Sequence, residues 1–493
     1  MHEEKTEMER VESRAAKGKG GGKGGGGGQG ASTLTAATLK GMLRGEIPRA
    51  GAVTASLDET SRFSIYDKRP LVVVSPESEE EVLGVLRLAR RERAALCPRG
   101  SGSKIWVGNE LQRLDIVLRT EGLDGIVEYD HENLSVTAAA GVALSSLQRS
   151  LSERNQFLPL DPFYKERATL GGVVAANSSG PLRFKYGSVR DLVLGMRVAL
   201  PSGEVIKCGG KVLKNVAGYD MTKLFIGSYG TLGVVTEVTF KLYPVPEAES
   251  TVLAVFSGLK GAARFVESIL ESYLEPSSID LLNPAILEAV SKRAGLKSPQ
   301  GYGVAVRLDG LSEAVGREIT EIKGVLGAME KDNGGVEVHF ERLETAGDGS
   351  GFWDAVSCIP TLHGGVIGFR AGFPLSLVPG VFANFERLAA DLGLTLSLYS
   401  NAGTGALWGF LGGGGEGVNY QAMADSVGRF RAESERLGGY LVLEDAPAVV
   451  KRAIDPWGAG NMGGGKIMGE IKSAFDPLGV MSPGRGFHAT HSQ

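Results

Sequence analysis

Residues 71–104 read LVVVSPESEEEVLGVLRLARRERAALCPRGSGSK. LVVV is an apolar run of strand length. After Ser75-Pro76, the residues Val82, Val85, Leu86 and Ala89 recur at i, i+3, i+4 and i+7, with glutamates early and arginines late, as a helix dipole favours. ALCP (95–98) is a second strand, and it runs directly into Arg99-Gly100-Ser101-Gly102-Ser103. Glycines placed just after a strand let backbone N–H groups turn toward an anion, because no Cβ stands in the way. Alone, such a loop reads more simply as a plain turn.

Two further clusters change that reading. Ala168-Thr169-Leu170-Gly171-Gly172 is followed by Ala175, Ala176, Asn177, Ser178, Ser179 and Gly180. Residues this small, this densely placed, make room for something flat and large. A third cluster runs from Gly218-Tyr219-Asp220 through Gly227-Ser228-Tyr229-Gly230-Thr231-Leu232-Gly233 to Val234 and Val235. Three such clusters, each abutting a strand or helix, point to one extended ligand touched by several loops.

Working outward, strands are expected at 115–118, 125–130, 134–141, 193–200 and 233–245, with helices over 142–154, 168–177 and 220–227. The 233–245 stretch alternates as a half-buried antiparallel strand does. Strands and helices mix without a regular βαβα rhythm, so the fold class is α+β. The division expected is a glycine-rich tail (1–33), a ligand-binding domain (34–246), an α+β cap of helices on an antiparallel sheet (247–445), and a C-terminal segment (446–493) that returns to the first domain. The tail, with ten glycines in residues 18–30, cannot bury a core and reads as flexible, and a short helix is expected over Thr35–Gly45.

Composition excludes several classes. The 493 residues carry 53 Lys plus Arg against 57 Asp plus Glu, a net charge of −4, which disfavours a nucleic-acid binder. Glycine, at 72 residues, is about twice its usual ~7% share. Cys97, Cys208 and Cys358 form no CxxC pair, so no iron–sulfur cluster is built from this chain alone. No apolar run approaches the ~18 residues of a membrane span, and the charged N-terminus lacks a secretory h-region, so a cytoplasmic setting is expected. No G-x-S-x-G elbow supports hydrolysis. Gly412, Gly414 and Gly417 match G-x-G-x-x-G, and Gly460 to Lys466 resembles a P-loop with Ile467 where Ser or Thr is needed. Both read as accidental.

PRGSGSK, ATLGGVVAANSSGPLRFKYGSVRDLVLG, KNVAGYDMTKLFIGSYGTLGVVTEV and AFDPLGVMSPGR together resemble the FAD-binding proteins of the PCMH (vanillyl-alcohol-oxidase) type, which include D-lactate and D-2-hydroxyacid dehydrogenases. Within that group the pattern is nearest the smaller FAD-binding subunit of bacterial glycolate oxidase. The resemblance implies that Arg99, Gly100, Ser101, Gly102 and Ser103 wrap the pyrophosphate. Thr169, Gly171, Gly172, Asn177, Gly180 and Tyr186 would line the flavin, with Gly230, Thr231 and Val235 touching it through backbone groups. Relatives with a covalent flavin often carry His where Ser103 stands, so noncovalent FAD is implied.

The related dehydrogenases hold a divalent metal with histidines in a G-H-x-G-D-G-N stretch and a later Glu-His pair. Here the corresponding places read Asn401-Ala402-Gly403-Thr404-Gly405 and Glu444-Asp445, so no metal site is expected. Three readings follow. In the first, the chain is an FAD subunit of a 2-hydroxyacid oxidase, completed by a larger flavoprotein and an iron–sulfur subunit, cytoplasmic or peripheral at the inner membrane through those partners. In the second, it is a stand-alone dehydrogenase with Arg183, Lys214 and Tyr219 holding a small 2-hydroxy acid. In the third, it is a flavin-holding assembly partner without catalysis of its own. Lacking the metal histidines, the isolated chain is expected to turn over 2-hydroxy acids poorly.

Overall fold

The structure, a computed structural model, describes residues 34–210, 219–297, 300–332, 338–344, 348–362, 365–412, 419–458 and 464–486. The tail, Lys214, Gly414, Gly417 and Gly460 lie outside the described residues.

Strands β1 (Val53–Thr54), β2 (Val72–Val74), β3 (Leu96–Arg99) and β4 (Ile116–Arg119) form a sheet in the order β1-β2-β4-β3. β2 and β3 both pair parallel with β4, as a strand–helix–strand unit requires. The intervening helix, Glu79–Glu92, starts where Ser78 accepts from the Glu81 backbone N–H at 3.2 Å and stops at Arg93 in the left-handed region. Its stripe of Val82, Val85, Leu86 and Ala89 is fully buried against that sheet.

Next come β5 (Ile126–Asp130), β6 (Ser135–Ala139), β7 (Gln156–Phe157), β8 (Val193–Ala199), β9 (Val205–Gly209), β10 (Val234–Lys241) and β11 (Tyr243–Pro244). Five of them make an antiparallel sheet, β5-β6-β10-β8-β9, and β7 pairs with β11. β10 is central and covered on both faces, not half-buried as its alternation suggested. Its threonines are paired internally. Thr239 shares a hydrogen bond with Thr137 at 2.9 Å, and Thr236 donates to Glu79 at 2.7 Å.

The remaining strands are β12 (Ala248–Phe256), β13 (Ser278–Leu282), β14 (Tyr302–Gly310), β15 (Val338–Glu344), β16 (Ile367–Gly372), β17 (Thr395–Asn401), β18 (Ala406–Gly412) and β19 (Tyr440–Asp445). They form one antiparallel sheet, β15-β12-β14-β13-β17-β18-β16-β19. Alternate residues of β12 enter two cores. Val252, Ala254 and Phe256 meet Phe265, Phe382, Phe385 and Phe430 from the helices on one face. Leu253 and Val255 share the other core with Leu287, Phe352, Tyr399 and Trp408.

That second face is where the two halves of the molecule meet. Phe163, from the first half, packs 6.0 Å from the Tyr399 ring and 5.2 Å from Trp408. Polar ties reinforce the seam. Lys185 reaches Asp309 at 2.6 Å, Tyr186 donates to the same carboxylate at 3.0 Å, and Asn401 donates to the Pro181 carbonyl at 3.2 Å. After the helix Gly465–Phe475 the chain comes back to β3, where Leu96 and Ser482 N–H groups bond Val480 and Leu96 carbonyls at 2.8 Å each.

Candidate functional site

The three glycine clusters converge. Gly100, at the end of β3, lies so close to Thr169 that a Cβ would collide with its hydroxyl. Thr169 caps the helix Leu170–Ala176 by accepting from Gly172 N–H at 3.3 Å. Gly171 sets that helix against the residue just past β6, where an added Cβ would come 2.8 Å from Ala140. Gly230, at φ +67°, faces Pro98, its would-be Cβ 3.1 Å from the proline ring.

Between them lies a cleft of about 860 Å³, including space open to solvent. Arg99 to Ile105, Thr169, Gly171, Gly172, Tyr229, Gly230 and Val235 are among its walls, with Phe163 from the seam. Arg485 closes it from the C-terminal segment. Its Nη2 donates to the Ile105 carbonyl at 2.9 Å, while its buried Nε has no hydrogen-bond partner among the described residues. Glycine walls that exclude Cβ atoms, and a guanidinium nitrogen left unpaired on the wall, suit a flat ligand carrying phosphates.

A smaller pocket of about 450 Å³ adjoins the cleft through Ser103 and Lys104, which border both. Trp106, Val107, Phe369 and Phe410 give it apolar walls, and Glu444 and Asp445 at the end of β19 give it acids. Lys104 Nζ donates to Glu444 Oε2 at 2.5 Å, and Arg370 Nε lies 3.8 Å from Glu444 Oε1. Burial alone would raise the Glu444 carboxyl, but the two cations beside it hold it below the usual range. Tyr229, half-buried at the cleft wall, is pushed up to about 12 by desolvation, with the Arg370 charge opposing.

Residues 70–209 match the family model described as FAD binding domain, and residues 245–485 match the model described as FAD linked oxidases, C-terminal domain. The chain belongs to the FAD-linked oxidases. It is 29% identical over 459 residues to glycolate oxidase subunit GlcD of Bacillus subtilis, covering 89% of this chain and 93% of that one. It is 41% identical over 172 residues to glycolate oxidase subunit GlcE of Escherichia coli, covering 34% of this chain and 48% of that one. In fold it is similar to p-cresol methylhydroxylase, with a TM-score of 0.70, 16% identity, and 91% and 96% of the two chains covered. The α+β class and the PCMH-type architecture expected from sequence are those observed.

The glycine cradles and the unpaired Arg485 nitrogen of the cleft fit the FAD of this FAD-linked oxidase. Arg99, Gly100, Ser101, Gly102, Ser103, Thr169, Gly171, Gly172, Gly230 and Val235 all border the cleft. Four other residues expected there do not. Asn177 ends its helix in the left-handed region, with Oδ1 buried and unpaired. Gly180 is pressed against the Asp161 backbone. Tyr186 is bonded to Asp309 at the seam. Thr231 donates to the Ser228 carbonyl at 2.7 Å.

Of the residues expected to clamp substrate, the two that are described, Arg183 and Tyr219, lie away from the site. Arg183 is exposed on a short helix, Tyr219 is 96% exposed, and neither borders the cleft or the pocket. Besides Arg99, the structure places Lys104 and Arg485 there, with Arg370 behind Glu444, and the sequence reading missed these three as site residues. Lys104 and Arg485 ended quoted motifs, PRGSGSK and SPGR. Arg370 sits in an unremarkable strand, so no signal marked it.

Proposed function

We propose that this chain oxidises a small 2-hydroxy acid to the 2-oxo acid with noncovalently held FAD, as the flavin subunit of a glycolate oxidase-like assembly. One observation carries the reading: the loop Ser103-Lys104 serves both the glycine-walled cleft and a pocket that holds the Lys104–Glu444 ion pair. Bound FAD would supply a two-electron sink for hydride from the α-carbon. The chain must then hold the carboxylate and accept the hydroxyl proton. Lys104 and Arg370 are the cations beside the pocket, and Glu444 and Asp445 are its proton acceptors. Trp106, Phe369 and Phe410 leave room for a short side chain and keep water out.

The described residues bordering the cleft include no His or Cys, which supports noncovalent attachment. Likeness to GlcD along most of the chain, and to GlcE in part, supports a multi-subunit setting. The three free cysteines lie far apart in sequence, which supports an electron outlet on another protein: a larger flavoprotein and an iron–sulfur subunit are the proposed partners. No described helix is long and apolar enough to cross a membrane. Membrane contact, where it occurs, would come through those partners.

Described residues of this one chain line the pocket with both a cation and acids, and this favours a second reading, a stand-alone 2-hydroxyacid dehydrogenase. FAD-loaded protein incubated with glycolate or D-lactate and a dye acceptor tests both. Slow 2-oxo acid production that rises sharply with partner subunits supports the assembly, and fast production by the chain alone supports the second reading. Bound FAD with no product under either condition leaves a flavin-holding partner without catalysis.

A further inference from the structure

We propose that Lys104 anchors the acid in the pocket through its own ammonium, where the related dehydrogenases use a divalent cation. The inference rests on the proposed oxidation and deepens it.

The donor set at the two positions matching the metal ligands is already committed. Asn401 is 2% exposed, and its Nδ2 donates to Pro181, Ser278 and Asp280, the Ser278 bond at 3.0 Å. Its Oδ1 accepts from Thr404 at 2.6 Å. Both groups of its amide are thus engaged within the protein. Glu444, at the other position, is held by Lys104. Among the described residues no group of three His, Cys, Asp or Glu side chains could hold a metal ion. A tetrahedral or octahedral N/O site needs more than a single carboxylate.

Lys104 meets the same requirement differently. An ammonium has three N–H donors, and one goes to Glu444, leaving two for a pair of oxygens such as a carboxylate and the neighbouring hydroxyl. Its side chain is 18% exposed and Glu444 is 15% exposed, so the pair is shielded from bulk water while still bordering the pocket. Arg370 adds a second cation whose buried Nε has no hydrogen-bond partner among the described residues. Lys451, whose charge also pulls on Glu444, is the third. The apolar walls Trp106, Phe369 and Phe410 then select a short, uncharged side chain on that acid.

The test uses the FAD-loaded full chain and oxamate, a monoanionic analogue that cannot be oxidised, with binding read from the flavin difference spectrum. Wild-type protein is expected to bind oxamate equally well before and after dialysis against EDTA. Lys104→Met should weaken oxamate tenfold or more at unchanged FAD content, with Lys104→Arg restoring part of the loss. Glu444→Gln should bind oxamate at least as tightly as wild type, because it removes an anion that competes for the anchor. A metal site would lose affinity on the same change, so this arm decides even where Lys104→Met loses its flavin. Absence of oxamate binding to wild type, binding within twofold of wild type in Lys104→Met, or binding lost with EDTA and restored by Zn²⁺ or Mn²⁺ would overturn the proposal. Oxamate binding that depends on Lys104, in a protein whose flavin no 2-hydroxy acid reduces, would uphold the anchor and refute the oxidation.

Discussion

Gly100 and Thr169, on loops 69 residues apart in sequence, touch so closely that the position at 100 has no room for a Cβ. This contact joins the first glycine loop to the second and forms one wall of the cleft. Gly100→Val should therefore push the loops apart and lower FAD affinity at least tenfold, read as flavin per protein after gel filtration. Gly45→Ala, in a helix where an added Cβ meets nothing within 4 Å, should leave flavin content unchanged.

Arg485 brings an unpaired guanidinium nitrogen to the same cleft. Hydrogen bonds to charged groups are worth about 1.5–3 kcal/mol. Arg485→Met should weaken FAD binding by about 10- to 100-fold in a titration of apoprotein, in line with that range. An affinity equal to wild type would mean the guanidinium does not face the cofactor.

At the seam, Asp280 accepts from Tyr399 at 2.6 Å, from Asn401 at 3.3 Å and from Ser278, yet burial raises its carboxyl to about 7. Asp161, across the seam beside Arg307, is raised to about 6, also by burial. A carboxyl with a folded pKa above its unfolded value stabilises fully below the unfolded pKa of about 4, and that stability is lost as pH rises through the folded value. Glu79, Glu433 and Glu444 are shifted downward, so their contribution changes only at more acidic pH. The melting temperature should thus fall between pH 5 and 8, and Asp280→Asn should flatten that slope. A wild-type melting temperature that rises over this window would contradict the assignment.

Lys472 holds the C-terminal segment in place. Its Nζ donates to the Thr231 carbonyl at 2.7 Å, the Met481 carbonyl at 2.8 Å and buried Asp476 at 2.5 Å. Breaking a buried pair from one side costs about 3–5 kcal/mol. Lys472→Met should destabilise by roughly this amount in urea unfolding. Lys472→Met with Asp476→Leu should recover part of it, since no charge is then left buried alone.

Much of the frame could be read from the sequence because it is local. Thr35 caps Ala36–Glu46, the Glu79–Glu92 stripe is buried as its period implied, and the three glycine clusters mark the cleft. β10 was misjudged because alternation of Thr with Val looks half-exposed, while its threonines are bonded inside the sheet. The Gly412 motif looked nearly nucleotide-binding for a physical reason. β18 and β19 run the same way around the helix Tyr420–Arg436, but β16 lies between them, antiparallel to both. The substrate end was hidden because Lys104 and Glu444 are 340 residues apart, and an ion pair across that span leaves no local pattern.

Anaerobic rapid mixing of the FAD-loaded chain with glycolate or D-lactate tests the central claim most directly, since it isolates the half-reaction that this chain's own pocket is proposed to perform. The account predicts bleaching of the oxidised flavin with one 2-oxo acid formed per FAD, and loss of both in Lys104→Met. Flavin that stays oxidised with every small 2-hydroxy acid tried, in protein that holds FAD stoichiometrically, would contradict it.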